Sequence, residues 1–129
     1  HYENVVDEVL DYLLQRAKVC EAAGIKRENM IIDPGIGFGK TLTHNLALLK
    51  NLDRFLDAGF PVLLGTSRKS FIQKVVGDNS TADSRIGGSL SSVLWGWSRG
   101  VKIFRVHDVK EMKRVAKVSD AIVRGLNCI

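Results

Sequence analysis

Asn29-Met30-Ile31-Ile32-Asp33-Pro34-Gly35-Ile36-Gly37-Phe38-Gly39-Lys40 is a short apolar run that breaks, at a carboxylate, into three alternating glycines. An unbroken apolar run of strand length, followed by residues that tolerate positive φ, reads as a buried strand opening into a loop. The same transition occurs twice more. Pro61-Val62-Leu63-Leu64-Gly65-Thr66 opens into Ser67-Arg68-Lys69-Ser70, and Val101-Lys102-Ile103-Phe104-Arg105-Val106 opens into His107-Asp108. Between these strands the apolar residues change to helical spacing.

Upstream, Val6, Val9, Leu10, Leu13, Ala17 and Cys20 recur at three- and four-residue steps, and Gly24 offers a left-handed stop. After the glycine-rich loop, Thr43 is the expected N-cap of a helix carrying Leu46, Leu49, Leu52, Phe55 and Leu56, closed by Gly59. A turn or short helix (Phe71, Ile72, Val75, Val76) and a polar stretch over 77–84, expected as a mobile loop, follow the second strand. A small-residue helix from about Arg85 to Ser98 leads to Gly100 and the third strand. A last helix carries Met112, Val115, Ala116, Val118, Ala121 and Ile122 on its apolar side. The order is α-β-α-β-α-β-α. Fully apolar strands alternating with amphipathic helices imply α/β architecture with a parallel sheet covered by helices.

Strand starts near 29, 61 and 101 have the spacing of β/α units in a (β/α)8 barrel, which takes about 250 residues in all. Three units preceded by one helix are therefore read as part of such a barrel, or else as a small open α/β domain with two unpaired edges.

The 129 residues carry a formal charge of +5 at 45% hydrophobic content. Basic residues are interleaved with acidic ones and not gathered on one stretch, so neither a nucleic-acid partner nor disorder is expected. The apolar runs fall far short of the roughly 20 residues a membrane helix requires. No basic-then-apolar leader is seen, so no signal peptide is expected. The chain starts at His1, already inside helical sequence, which leaves room for residues upstream. Cys20 and Cys128 lie near opposite ends without metal or redox spacing and read as reduced thiols of a cytoplasmic protein.

The candidate chemistry sits just past the strand ends, the face where parallel α/β folds bind ligands. A Walker A reading of the first loop fails because Pro34 replaces its first glycine. A dinucleotide fingerprint fails because Lys40 stands where its third glycine belongs. Alternating glycines do let backbone approach a planar ligand, and Asp33 could accept paired N–H bonds from an amino-pyrimidinone edge; equally, it could stabilise its own turn. Of the adjacent Arg68 and Lys69, one can face a site while the other faces solvent or an anion. Arg105 is costly inside an apolar strand unless its fork is paired, and a phosphate suits it. His107 would project on the same side, or be a structural histidine bonded to Asp108 or to backbone.

Asp33 to Lys40, Gly65-Thr-Ser-Arg-Lys-Ser70 and Arg105-Val-His-Asp-Val109, with Cys20-Glu-Ala-Ala-Gly24 and Arg85-Ile-Gly-Gly-Ser-Leu90, resemble the last three strand-end motifs of the dihydropteroate synthase family, in its order and approximate spacing. The resemblance covers nearly the whole chain. It implies that residues 1–129 are a single C-terminal portion of a pterin-binding (β/α)8 barrel, incomplete without about five upstream strands. That family condenses a hydroxymethyl-dihydropterin diphosphate with p-aminobenzoate, assisted by Mg²⁺.

By motif, the resemblance implies that Asp33, Lys69, Gly65 and Phe38 bind pterin. Arg68, Ser70 and Phe38 fall on the p-aminobenzoate side, and Arg105, Val106 and His107 grip the diphosphate. It implies no covalent nucleophile and no metal ligand in this chain, the Mg²⁺ ligands belonging to the missing N-terminal part. A homodimer through the last helices is implied, and the chain alone is expected to be inactive. The alternatives are a corrinoid-linked pterin-binding methyltransferase, which gives no reason for the Ser-Arg-Lys-Ser and Arg-Val-His groups, and a non-catalytic half-barrel module.

Overall fold

A computed structural model describes residues 1–125; Cys128 lies outside them. Helix α1 (Val5–Ala22) starts because Asn4 caps it, its side-chain oxygen accepting from the Val6 and Asp7 amides at 3.2 and 3.3 Å. Glu8 reaches back to accept from the Glu3 and Asn4 amides at 2.7 and 2.8 Å, so orphan donors of the first turn are satisfied from both sides. The helix buries Val5, Val6, Val9, Leu10 and Ala17 and leaves Leu13 and Cys20 at the rim of that face.

The strand expected from residue 29 begins later, because a 3-10 turn over Arg27–Asn29 occupies its start. Ile32 pairs parallel to Val62 as a single bridge, with Ile32 N–H donating to Pro61 O and Leu63 N–H to Ile32 O, both at 2.9 Å. Strand β1 (Leu63–Leu64) pairs parallel to β2 (Ile103–Phe104) in the register Leu63 to Ile103 and Leu64 to Phe104. The three extended segments thus lie side by side with the 62–64 segment in the middle. Their regular part is much shorter than the expected 29–33, 61–66 and 101–106, because the two outer segments have a ladder partner on one side only.

Helix α2 (Leu42–Lys50) is capped by Thr41 and not by the expected Thr43. Thr41 Oγ1 accepts from the His44 amide at 3.2 Å while His44 Nδ1 accepts from the Thr41 amide at 3.3 Å, a reciprocal box that Thr43, already inside the first turn, cannot make. A break at Asn51 separates α3 (Leu52–Leu56), and Gly59, at φ +79°, turns the chain toward β1. Helix α4 (Ser70–Val76) follows β1 and ends at left-handed Gly77. The polar stretch after it contains a 3-10 turn over Ala82–Ser84. Helix α5 (Ile86–Arg99) and α6 (Val109–Arg124) flank β2 in sequence and pack on each other.

The core is where α1, α2, α3 and the sheet meet: Ile36, Leu48, Leu52, Phe55, Val62, Leu64 and Val101 are fully or almost fully buried. Helix α5 approaches the sheet at Gly96, where a Cβ would stand 2.6 Å from Leu64 Cδ2 and 3.1 Å from Phe104 Cε1. On α6, Met112 is buried as expected, but Val118 and Ile122 are exposed (60% and 78%). Helix α5 is the main neighbour of that helix among the described elements, and it covers a stripe around Met112 and Ser119 and not the whole apolar side. Among the described residues no helix is long and apolar enough to cross a membrane.

Candidate functional site

All three strand segments point their carboxyl ends to one face, and their loops meet there. In the first loop Asp33 Oδ1 accepts from the Gly35 amide at 2.8 Å, so this carboxylate does stabilise its own turn. Its other oxygen has no partner in that turn. Gly35, Gly37 and Gly39 take φ of +70°, +84° and +58°, conformations that cost a side-chain-bearing residue and explain the alternation. Two residues fix this loop: Asn45, which sequence reading passed over, and Lys40, noted there only for its place in the glycine pattern. Buried Asn45 accepts from the Gly37 amide at 2.7 Å and donates to Thr41 O at 2.9 Å. Lys40 Nζ donates to Gly35 O and Phe38 O at 2.9 and 3.1 Å. Phe38 is left 64% exposed on the loop's outer side.

Lys69 joins the second loop to the first. Its ammonium donates to Ile36 O and stands 4.4 Å from the centre of the Phe38 ring, a cation held over an aromatic face. Partial burial lowers the Lys69 pKa, and the positive charges of Arg105 and Lys40 lower it further against the opposing pull of Asp33. Lys40 is lowered for the same first reason, again opposed by Asp33.

Arg68, next in sequence, turns the other way. Among the described residues it is the one non-glycine residue with positive φ, +60°, and its amide donates to Ser89 Oγ at 2.8 Å. Its guanidinium donates to both oxygens of Asp108, Nε at 3.1 Å and Nη2 at 2.7 Å, while Nη1 reaches Asp83. The hydrogen-bonded pair raises Arg68 and holds the Asp108 carboxyl below the usual aspartate range. Arg85 Nη1 donates to Arg68 O at 3.0 Å and its Nη2 to Gln73 Oε1 and Ser80 O, tying the polar 77–84 stretch to the same loop.

A small cavity of about 90 Å³ lies between the second and third strand ends, lined by Gly65, Ser67, Lys69, Arg105, Val106 and His107. Five of the residues singled out from sequence therefore converge: Gly65, Lys69, Arg105, Val106 and His107. Among the described residues the Arg105 guanidinium has no carboxylate partner, so the cavity wall carries uncompensated positive charge and suits an anion. His107 bonds neither Asp108 nor backbone with its ring; its Nδ1 lies 3.2 Å from Ser67 Oγ, and its amide donates to the same oxygen at 3.2 Å. Ser67 stood inside the quoted motif, yet nothing in the sequence distinguished it from Ser70.

Asp33 lies apart from that cavity, lining a separate depression of about 430 Å³ beside Tyr2, Tyr12 and Lys40. Phe38 reaches the cavity only through Lys69, and Arg68 and exposed Ser70 flank it without lining it. A larger apolar hollow of about 500 Å³ between α2, α4 and α5 holds none of these residues. Among the described residues no group of three His, Cys, Asp or Glu side chains is placed to hold a metal.

A family model described as "Pterin binding enzyme" matches residues 1–107. Dihydropteroate synthase of Haemophilus influenzae is 48% identical over 121 residues, covering 94% of this chain and 43% of the relative. That of Clostridium beijerinckii is 44% identical over 124 residues, covering 95% and 45%. The solved structure of the Xanthomonas albilineans dihydropteroate synthase, in complex with 7,8-dihydropteroate, superposes with a TM-score of 0.92 at 39% identity, over 96% of this chain and 47% of that one. The chain thus spans a little under half the length of the relatives it matches.

Proposed function

The chain belongs to the pterin-binding enzyme family, and we propose that it is the C-terminal portion of a dihydropteroate synthase, contributing the last three β/α units, preceded by α1, to a (β/α)8 barrel completed by about five strands outside these residues. The reaction is condensation of 6-hydroxymethyl-7,8-dihydropterin diphosphate with p-aminobenzoate to give 7,8-dihydropteroate and pyrophosphate, as a cytoplasmic step of folate synthesis. The observation that carries this reading is the convergence of Lys69, Arg105 and His107 on one cavity at the ends of two adjacent parallel strands.

The roles follow from charge. As the C–O bond to the diphosphate breaks, negative charge grows on the leaving group and positive charge on the pterin methylene. Arg105 and His107, with the Val106 backbone between them, hold the departing anion. Lys69 bonds the pterin edge from the other wall, with Gly65 as the floor between them, where a Cβ would lie 3.8 Å from Arg105 Cβ. Asp33 faces the pterin with its remaining oxygen, favouring the cationic ring. The amine of p-aminobenzoate attacks the methylene, the C–N bond forms, and the amine releases its proton. Phe38 and Ser70 border the p-aminobenzoate side, and Arg68 acts there through the loop it holds.

The Mg²⁺ that the family implies finds no ligand set among the described residues. Its ligands are assigned to the part of the barrel outside these residues. The exposed apolar residues of α6, Val118, Ile122 and Val123, support a homodimer through the last helices. In the complete barrel, Lys69→Ala is expected to weaken pterin diphosphate binding about 10- to 100-fold, the loss of a charged hydrogen-bond donor. Calorimetry measures it, and an unchanged affinity refutes the role of Lys69. The 129 residues alone are expected to form no dihydropteroate.

A further inference from the structure

Resting on the diphosphate reading above, we propose that Ser67 and Arg68 are positioning residues that brace His107 and Asp108, fixing the distance between the Lys69 wall and the Arg105–His107 wall of the cavity. The brace has two rungs formed by consecutive residues on each side. Ser67 Oγ accepts from the His107 amide and contacts His107 Nδ1, both at 3.2 Å. Arg68 grips Asp108 with Nε and Nη2 at 3.1 and 2.7 Å.

The positive φ of Arg68 makes the geometry work. Ser67 and Lys69 line the cavity as alternation along an extended chain places them, and the left-handed turn at Arg68 ends that extension and sends its side chain sideways to Asp108. A planar fork held on both carboxylate oxygens resists rotation in a way a single bond does not. Behind the fork, Ser89 holds the Arg68 amide at 2.8 Å and Arg85 holds its carbonyl at 3.0 Å. The loop is thus pinned from α5 and pinned again onto the end of the third strand. Asp108 and Asp83 take three of the five N–H donors of the fork, and Arg68 does not line the cavity.

Ser67 adds a chemical consequence. Its oxygen accepts from the His107 amide, and where its one O–H donates a hydrogen bond to Nδ1 the ring carries its proton on Nε2. The imidazole then presents an N–H donor on its far side, as a diphosphate oxygen requires, without needing to be charged.

Inorganic pyrophosphate in metal-free buffer is the probe, titrated by calorimetry into the complete barrel that carries these residues and into its variants. The expected result is that Asp108→Asn weakens binding about tenfold, as a loosened site loses its geometry. If Arg68 were instead a direct anion contact, Asp108→Asn would free its fork and binding would be unchanged or tighter; that outcome overturns the brace alone. Arg105→Ala is the control on the underlying reading. If it leaves pyrophosphate affinity unaltered, or the unmutated barrel does not bind, the diphosphate grip falls and the brace with it. Should Asp108→Asn not fold, Asp108→Ser, which likewise frees the Arg68 fork, is read by the same signs. Imidazole ¹⁵N shifts of His107 should report the Nε2–H tautomer and lose that preference in Ser67→Ala; an unchanged tautomer removes Ser67 from the brace.

Discussion

Gly37→Ala separates the stability of the glycine-rich loop from its hold on Lys69. A Cβ built at Gly37 stands 2.9 Å from Lys69 Cδ and 3.6 Å from both Cε and Nζ, and the residue sits at φ +84°. Left-handed backbone costs an L-residue about 1–2 kcal/mol, and the stiffer unfolded chain returns about 0.4–1 kcal/mol. The net loss is therefore on the order of 1 kcal/mol, a fall in Tm of about 3–5 °C for a chain of this size. The steric part adds little to that sum because the atom met is midway along a flexible side chain. Its effect is to push Lys69 outward, away from Ile36 O and the Phe38 ring. Since burial is the first cause of the lowered Lys69 pKa, the variant should raise it toward the ordinary lysine value.

The sign on stability follows. A lysine depressed in the fold binds its proton more tightly when unfolded, so its contribution to stability rises as pH climbs from the folded value to the ordinary one. Gly37→Ala should flatten that alkaline rise. Gly39→Ala is the matched control: it also has positive φ, +58°, and a Cβ there meets nothing within 4 Å. NMR titration of the Lys69 side chain with pH in both variants is the assay. If the two leave Lys69 titrating alike, the contact between Gly37 and Lys69 does not govern that lysine, and the reasoning fails.

Other perturbations test the frame around the site. Phe55→Ala removes a ring that is wholly buried and should cost about 3–5 kcal/mol by urea unfolding; a loss below about 1 kcal/mol would mean the core is assembled differently. Gly88→Ala puts a methyl onto Cγ2 of buried, β-branched Ile72. Overpacking of about 1–3 kcal/mol should outweigh a helix-propensity gain of about 1 kcal/mol, so the urea midpoint falls, and Ile72→Ala should relieve the clash; a raised midpoint in Gly88→Ala contradicts the close approach of α5 and α4. The Asp108 carboxyl is held low chiefly by its hydrogen bond from Arg68. A carboxyl depressed in the fold contributes stability above its unfolded pKa and loses it as pH falls through the folded value. Stability measured down an acid series should therefore fall less steeply in Asp108→Asn, and parallel curves would show the pair to be energetically idle.

The order of elements and the face that carries the chemistry were legible in the sequence because both depend on coarse patterns. Apolar runs of strand length alternate with helical spacing, and polar residues follow each run at one end. Lengths were less legible, since the extent of a strand depends on its neighbours. Pro61 to Thr66 reads as a continuous strand, but ladder pairing is confined to residues with a partner beside them, and the outer segments each have one. Thr43 and Thr41 are equivalent as cap residues until His44 is noticed, because a histidine ring can take the acceptor role that Glu or Gln fills in the common capping box.

The site divides in the same manner. Lys69, Arg105 and His107 could be singled out as basic residues at strand ends, the face where parallel α/β folds bind ligands. What orients them could not. Asn45, Ser67, Ser89 and Asp108 are ordinary polar residues whose importance lies in which backbone amide or guanidinium each meets. The tetrad Ser67-Arg68-Lys69-Ser70 shows why. Strand alternation would put Arg68 opposite Ser67 and Lys69, and helix geometry would spread all four, so the pattern admits either serine and either base as the one facing the cavity. The structure takes the strand-like arrangement, with Arg68 left-handed between the two cavity-lining residues. With Arg68 at positive φ, Ser67 and Lys69 line the cavity, Arg68 is delivered to Asp108, and Ser70 becomes the first residue of α4. No propensity scale assigns that conformation to an arginine; it persists because Asp108, Ser89 and Arg85 hold it from three sides.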